Sequence, residues 1–471
     1  MDLFNPANPR PVHFMGIAGA GMSALALIAR RRGVAVTGCD PDPGGAADVI
    51  ALGARVHAGH DPQHVVGARA VVVTAAVPSD HPELVRAKAL GIPVVPRKVA
   101  LAELVAQGEV VAIAGTHGKS TTTVMTTEAL SAAGLAPTGV AGGRVDAWGG
   151  NAKLGGDRCF VVEADEYDKA FLTLTPTVAV INNVEADHLE CYGSLAALEA
   201  AFDTFAGRAK KVLIGSDDPG AIRITQMLRR TDAQADGGGD GPLVWRFGFE
   251  NADLTLSEVD QGPGGSRATV TLPDRRKVSL RLAVPGIHNL RNATAALGAV
   301  LALGGPLEPA LEALAGYTGL GRRFERLGDA NGITFVDDYA HHPTELVATL
   351  AAARQAFPGR RLIAVFQPHL FSRTAALGAA MGVALAAADV AVVTEIYAAR
   401  EAPIPGITGR TVAEAAEVEG KGRMRVLFEP DKARLHDQLL EIVSPGDVVI
   451  TLGAGDITRV GRELVQWLRA A

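Results

Sequence analysis

Cysteine is scarce in this chain. The three present, Cys39, Cys159 and Cys191, are far apart and form no CxxC pair. That spacing argues against a disulfide framework or a zinc site and fits a reducing compartment, the cytoplasm. Long charge-free apolar runs are missing too, so no transmembrane helix and no membrane partner are expected. The opening residues Met1-Asp2-Leu3-Phe4-Asn5-Pro6 lack the basic-then-apolar pattern of a secretory signal. Basic runs stay short, as in Arg30-Arg31-Arg32 and Arg229-Arg230, and the formal net charge is -6. Both points exclude a nucleic-acid partner and read those arginines as solvated helix ends. Aromatics make up only 5%, whereas glycine (54 residues) and alanine are plentiful, a mix suited to tight strand-to-helix turns.

At about 100–200 residues per domain, the chain has room for three. Strands predicted at Val12–Ile17, Ala35–Gly38, Ala70–Thr74 and Pro93–Val95 alternate with helical patterns, which argues for a parallel sheet with crossover helices. This first unit closes at residue 106. A second opens at Val110–Ala114, runs to 320, and contains apolar strands at Cys159–Val162 and Val178–Ile181. Within it the polar, Gly-rich stretch 232–242 reads as a surface loop, and the short alternating runs from Val244 to Leu282 as antiparallel edge strands. The third unit spans 321–471, with strands at Thr334–Val336, Leu362–Phe366, Val390–Thr394 and Val448–Leu452.

The strongest local signal is Gly115-Thr116-His117-Gly118-Lys119-Ser120-Thr121, placed between an apolar strand and a helix. Backbone N–H groups of such a loop wrap phosphates, and the helix N-terminus adds positive potential. Lys119 can reach the β- and γ-phosphates of ATP, and Ser120 can ligate Mg²⁺ through its hydroxyl. The general GxxxxGK(S/T) spacing needs glycine at 113, where this chain has Ile113, so its second half alone matches. Two further strand ends carry carboxylates, at Glu163-Ala164-Asp165-Glu166 and at Asn182-Asn183-Val184-Glu185-Ala186-Asp187-His188. Ligands of α/β proteins gather at such ends. Glu163 is a candidate metal ligand and His188 a second, although a lone histidine at a strand end is as readily structural.

An earlier Gly-rich turn, Gly16-Ile17-Ala18-Gly19-Ala20-Gly21-Met22, has Asp40 about 20 residues on. Alone it is a dinucleotide fingerprint, with pyrophosphate on the helix N-terminus and the acid on a ribose. NAD and an oxidoreductase are then the default, but UDP carries the same groups. In the third unit Asp337-Asp338-Tyr339-Ala340-His341-His342-Pro343 packs two carboxylates and two imidazoles at a strand-to-helix junction. It suits orientation of an amine and proton management, or else helix capping by Asp and Thr. Arg373 can clamp a carboxylate bidentately.

Taken together, these segments resemble the Mur ligase family, and its alanine-adding branch in particular. The loop at 115–123 looks like the family's GTxGK(S/T) variant. The segments at 163–172 and 182–193 resemble those in which a Glu and a His bind magnesium. Gly286-Ile287-His288-Asn289-Leu290-Arg291-Asn292 resembles its HNxxN segment, and Gly319-Leu320-Gly321-Arg322-Arg323-Phe324 its GxGRRF hinge. Phe366–Thr374 and Gly453-Ala454-Gly455-Asp456-Ile457 match two later segments.

The resemblance implies an α/β fold of three domains: an N-terminal Rossmann-like domain (1–106), a central P-loop ATPase-like mixed sheet (107–320) and a C-terminal Rossmann-like domain (321–471). It assigns ATP to Gly115, Thr116, Gly118, Lys119, Ser120 and Thr121, with His288 and Asn292 on base and sugar and Arg323 on the transferring phosphoryl group. Magnesium falls to Ser120, Glu163 and His188. The UDP-sugar falls to Gly19, Gly21, Met22 and Asp40, with Gly142, Gly143 and Asn151 nearby. Tyr339, His341 and Arg373 take the amino acid. Lys119, His188, Arg323, Asp338 and His341 carry catalytic roles, His341 as candidate base. The implied reaction joins L-alanine to the carboxylate of UDP-N-acetylmuramate at the cost of ATP, through an acyl phosphate, in cytoplasmic peptidoglycan precursor synthesis by a monomer or homodimer. A peptide-adding relative and a nucleotide-gated binding protein are the competing readings. The chain departs from family patterns in having no lysine between His188 and Lys210, where several relatives carry a carbamylated one, and in Leu370, where some have arginine.

Overall fold

The computed structural model describes residues 2–234, 241–399 and 401–470. Three sheets organise them. The first has five parallel strands, β1 (Val12–Met15), β2 (Val36–Asp40), β3 (Arg55–Ala58), β4 (Ala70–Val73) and β5 (Val94–Pro96), in the order β3-β2-β1-β4-β5. Parallel neighbours need crossovers, and helices such as Ala20–Arg31 and Pro82–Ala89 supply them. β1 and β4 are buried along their whole length, as strands covered on both faces must be. The strand order reverses at β1, which sets a ligand crevice at the carboxyl ends of β1 and β4.

The second sheet has ten strands: β6 (Glu109–Ala114), β7 (Thr138–Val145), β8 (Gly150–Lys153), β9 (Cys159–Glu163), β10 (Val178–Ile181), β11 (Lys211–Gly215), β12 (Leu243–Gly248), β13 (Leu254–Gly262), β14 (Gly265–Thr271) and β15 (Lys277–Leu282). Their order is β15-β14-β13-β12-β11-β10-β6-β9-β7-β8. β6 lies between β10 and β9, parallel to both. β7 and β8 form an antiparallel hairpin closed by the turn Asp146–Trp148, with Trp148 Nε1 donating to Glu128 at 2.6 Å. The antiparallel expectation fails between β12 and β13, which pair parallel, and between β11 and β12, which do so too. The helix Pro219–Gln234 lies between the latter two in sequence and makes the crossover that a parallel pair requires. That helix also takes the first positions of the predicted 232–242 loop, and residues 235–240 of that stretch lie outside the described ones.

The third sheet has six strands: β16 (Glu325–Ala330), β17 (Ile333–Asp338), β18 (Leu362–Phe366), β19 (Val390–Val393), β20 (Arg425–Phe428) and β21 (Val448–Leu452), ordered β16-β17-β21-β18-β19-β20. β16 is antiparallel to β17 and the remaining pairs are parallel. Side chains alternate between two apolar layers. Ala364 and Phe366 of β18 enter one cluster, while Ile363 and Val365 enter the other.

By contact density the chain parts into two compact units. One comprises Met1–Ser257, Thr269–Leu280 and Arg291–Ala315; the other comprises Glu258–Ala268, Arg281–Leu290 and Gly316–Ala471. Among the described residues no helix is long and apolar enough to cross a membrane.

Candidate active site

In the first unit, buried β6 feeds straight into the loop Gly115–Gly118 and the helix Lys119–Ala132. Gly118 holds φ 77° at the helix N-cap, and a β-carbon there would come within 2.8 Å of Asn292 Oδ1. No side chain caps this helix, so its first N–H groups face outward as an anion site requires. The loop is braced from β10: His117 N donates to Asn183 Oδ1 at 2.7 Å, and Asn182 Nδ2 donates to His117 O at 3.2 Å. Thr116 is braced likewise, its Oγ1 accepting from Glu185 N at 2.8 Å. Thr121 is buried in the same first helical turn. Asn292 thus stands at the loop, and His288 is one turn earlier on the same helix, Ile287–Ala302.

Lys119 Nζ donates to Gly115 O at 2.7 Å, Thr116 O at 3.2 Å and Glu166 Oε1 at 2.8 Å. Burial opposes its charge, but Glu166, Asp165 and Glu163 together hold its pKa above the ordinary lysine value. Ser120 Oγ donates to Glu163 Oε2 at 2.9 Å, and Gly142 N donates to the same oxygen at 2.8 Å. Two predicted groups, Ser120 and Glu163, are therefore joined, with Gly142 on the hairpin strand β7 as third member. A β-carbon on Gly142 would lie 2.9 Å from both Glu163 oxygens, which explains glycine there. Gly143 has open space around it.

His188 is not part of this group. Its contacts are with Asp187, Glu190 (Nδ1 to Oε1, 3.4 Å) and the Tyr167 ring, and none reaches Ser120 or Glu163. Its backbone is left-handed, φ 52°, a costly conformation for a non-glycine residue.

The same hairpin also meets the first Gly-rich turn. Asn151 Nδ2 on β8 donates to Ser23 Oγ at 3.3 Å, while its Oδ1 is buried with no hydrogen-bond partner. Ser23 belongs to the helix Ala20–Arg31, whose N-cap is Gly19, again without a side-chain cap. Asp40 braces this turn: its carboxylate accepts from Ala18 N at 3.1 Å and from Asp42 N at 3.0 Å. The side chain of Met22 is in the core, leaving its backbone alone as a candidate contact. Arg97 was not legible in the sequence, yet its guanidinium lies against Gly21, where a β-carbon would come within 2.6 Å of Nη1. The signal that marks it is its position just past β5, a strand end.

In the second unit Asp338 ends β17 and accepts from Phe324 N at 2.7 Å and Ala340 N at 2.8 Å. Burial raises its pKa to about 6, against the pull of Arg323. The Tyr339 ring lies under two guanidinium groups, Arg322 at 4.9 Å and Arg323 at 5.0 Å. Arg322 is anchored by donating to Gly453 O at 2.7 Å and Gly455 O at 3.0 Å. Arg323 Nη1 stands 3.6 Å from Glu345 Oε1. His341 Nδ1 lies 2.9 Å from Tyr339 O and 3.4 Å from Glu345, and burial lowers its pKa to about 4. His341 also faces the His369 ring at 5.9 Å, which stacks on Tyr397 and meets Arg373 Nη1 at 3.2 Å. Tyr339, His341 and Arg373 are thus brought into one cluster, and Glu345, His369 and Tyr397 join them. The helix Pro343–Ala356 is capped by His342, with Glu345 completing a capping box, in place of the Asp and Thr caps that the sequence suggests.

The Mur ligase family models match the chain in series: the catalytic domain over 11–109, the middle domain over 113–300 and the glutamate ligase domain over 322–455. The UDP-N-acetylmuramate–L-alanine ligase of Renibacterium salmoninarum is 42% identical across 97% of this chain and 96% of its own. That of Streptomyces avermitilis is 44% identical across 98% of both. Among solved structures, the UDP-N-acetylmuramate–alanine ligase of Thermotoga maritima superposes with a TM-score of 0.80 at 29% identity, covering 98% of this chain and 99% of that one. A murein peptide ligase from Psychrobacter arcticus shares the fold, with a TM-score of 0.68 at 24% identity, covering 98% and 99%. With the loop at 115–121, the Gly-rich turn at 16–22 and the third-sheet cluster each falling within one of the three matched domains, the chain belongs to the Mur ligase family.

Proposed function

We propose that this chain joins L-alanine to the carboxylate of UDP-N-acetylmuramate, with ATP as energy source, in cytoplasmic peptidoglycan precursor synthesis, acting as a monomer or homodimer. Domain boundaries at 106 and 320 belong to the same reading. The observation that carries it is the full-length likeness to alanine-adding ligases, 42% and 44% identical, in a chain whose Glu163 ties the phosphate loop to Gly142.

The substrate carboxylate attacks the γ-phosphorus of ATP, ADP departs, and an acyl phosphate remains. The amine of alanine then attacks the acyl carbon, and phosphate leaves as the amide forms. Anion meets anion in the first step, so charge must be neutralised. Lys119 and the N-terminus of its helix serve that end, with Gly115, Thr116, Gly118 and Thr121 shaping the loop, and Arg323 adds charge to the transferring group. His288 and Asn292 hold base and sugar. Gly19, Gly21, Met22 through its backbone, Asp40, Gly143 and Asn151 bind the UDP-sugar. Mg²⁺ is the metal that ATP chemistry calls for; Ser120 and Glu163, hard oxygen donors 2.9 Å apart, fit it and would hold it. When bound, it offsets phosphate charge. His188 is the proposed ligand of a second ion. Tyr339 and Arg373 orient alanine beside Asp338. His341, neutral at pH 7 with its pKa near 4, is free to take the amine proton.

The test is phosphate release from ATP, Mg²⁺ and UDP-N-acetylmuramate, with L-alanine, glycine, L-serine or the L-alanyl-D-glutamyl-diaminopimelate tripeptide as acceptor. Release strongest with L-alanine, with a product heavier by one alanyl residue, is the expected outcome. Release with the tripeptide alone moves the assignment to peptide addition, and none with any acceptor refutes it.

A further inference from the structure

We propose that His13, Cys39, His60 and Glu83 form a binding site for a divalent transition-metal ion, with zinc the preferred occupant. The four come from four separate segments of the first sheet region: β1, the end of β2, the loop after β3, and the helix Pro82–Ala89. Linear spacing of cysteines pointed away from zinc because none of these ligands is near another in sequence.

One sulfur is surrounded by three further donor atoms. Cys39 Sγ lies 3.5 Å from His13 Nε2, 3.3 Å from His60 Nδ1 and 3.3 Å from Glu83 Oε2. His60 Nδ1 and Glu83 Oε2 are 3.4 Å apart. Donor atoms of His13, Cys39 and Glu83 all lie within 4.8 Å of one another. Zinc bound tetrahedrally at about 2.0–2.3 Å separates its donors by roughly 3.3–3.8 Å. Four of the six edges of such a tetrahedron, from Cys39 to His13, His60 and Glu83 and from His60 to Glu83, already have that length. Its donor set also suits the ion, because thiolate, imidazole and carboxylate together favour zinc over magnesium or calcium.

Charge supports the same assignment. His13, Cys39 and Glu83 are fully buried. A divalent ion with one thiolate, one carboxylate and two neutral imidazoles is neutral overall, so the filled site leaves no uncompensated buried charge. On binding, the thiol proton passes to solvent and the sulfur–metal bond takes its place. Outer partners aim the ligands as metal sites require. His13 Nδ1 meets Thr37 Oγ1 at 3.0 Å, turning Nε2 inward. Glu83 Oε1 accepts from Asp61 N at 3.0 Å and meets His64 Nδ1 at 3.1 Å, leaving Oε2 for the ion. His81 is near, but its Nδ1 accepts from Glu83 N and caps the helix. The His60 side chain is 29% exposed and gives the ion a way in.

The site backs the sugar-nucleotide turn. Cys39 O accepts from Gly16 N at 2.8 Å and Ile17 N at 3.2 Å, so fixing Cys39 fixes the first residues of that turn.

The experiment titrates the chelator-treated full chain with Co²⁺ and follows absorption, then displaces with Zn²⁺. The expected result is one equivalent bound with intense tetrahedral d–d bands and a sulfur-to-cobalt charge-transfer band, all lost on adding Zn²⁺. Cys39→Ser abolishes the charge-transfer band. His60→Gln, at a partly exposed position that leaves the fold intact, shifts the d–d bands. Thr37→Val keeps the bands but weakens binding by about 10–100-fold. Cys191→Ser is the discriminating control, because Cys191 is the more accessible thiol and its Sγ lies 4.0 Å from Glu190 Oε1. A charge-transfer band that survives Cys39→Ser and disappears in Cys191→Ser overturns the proposal. So does the absence of any stoichiometric Co²⁺ binding by the parent.

Discussion

Lys119 and Glu166 share one buried hydrogen bond, with side-chain exposures of 14% and 2%. Removing either partner strands a charge, which typically costs about 3–5 kcal/mol. Lys119→Met is therefore expected to lose both stability and at least about 10²-fold in phosphate release. The double variant Lys119→Met with Glu166→Gln should regain most of the stability and none of the activity. Denaturant unfolding alongside the phosphate assay separates the two effects; equal stability of single and double variants would contradict the pairing. Gly142→Ala tests the neighbouring contact, since its methyl would press on the Glu163 carboxylate. Phosphate release should fall while the protein stays folded, and an unimpaired rate would remove Glu163 from the site.

Asp338 and His341 sit three residues apart in one cluster, with opposite pH behaviour. Asp338, raised by burial to about 6 from an ordinary value of about 3.9, binds its proton more tightly when folded. Its contribution to stability is complete below about pH 4 and is lost as pH rises through about 6. His341, lowered by burial to about 4 from about 6.5, contributes above about pH 6.5 and loses that as pH falls through about 4. The two slopes oppose each other between these limits. Asp338→Asn removes the first alone, so the variant should lose stability more steeply than the parent on acidification from about pH 6 to 4. Urea unfolding across that range reads the difference, and parallel curves would refute the assignment.

At the scale of elements, the helix Lys119–Ala132 depends on how it starts. Gly118→Ala places a methyl against Asn292 and Asn182 in a left-handed backbone, so the loop must shift. The expected outcome is loss of ATP-dependent thermal stabilisation with little change in the ligand-free melting temperature; a full ATP shift in the variant would count against the loop as the nucleotide site. Much at this scale was legible in the sequence. β10, β18 and β21 have the predicted bounds because each is a short apolar run between turn residues. β3 went unread because Arg55–Ala58 lies at a sheet edge and alternates poorly. The hairpin β7–β8 went unread because Gly139, Gly142, Gly143 and Gly150 weaken any strand signal, and tertiary contacts hold it instead. The loop at 115–121 was legible because its chemistry is contiguous. The partnerships of Lys119 with Glu166, and of His341 with His369, were not, since they join segments that folding alone brings together.

At the scale of the molecule, one compact unit holds both the loop at 115–121 and the Gly-rich turn at 16–22, and the hairpin bonds Glu163, the partner of Ser120 beside the one, and Ser23 beside the other. A ligand that orders the hairpin from one end lowers the ordering cost for the other. ADP should therefore tighten UDP-N-acetylmuramate binding, and the sugar nucleotide should tighten ADP binding by the same factor. Asn151→Ala should reduce both factors alike. Calorimetric titration of each ligand with and without the other measures them, and identical affinities in all four titrations would rule out coupling through the hairpin.

That hairpin also carries one of the chain's three tryptophans at its turn. The indole N–H of Trp148 is held by Glu128, and its ring lies where a β-carbon on Gly139 of β7 would come within 3.0 Å of it. An indole tied to a carboxylate at the closing turn is a built-in optical reporter. With Trp245 and Trp467 replaced by phenylalanine, the remaining emission would follow the hairpin in real time, turning substrate arrival into a stopped-flow signal without any attached dye.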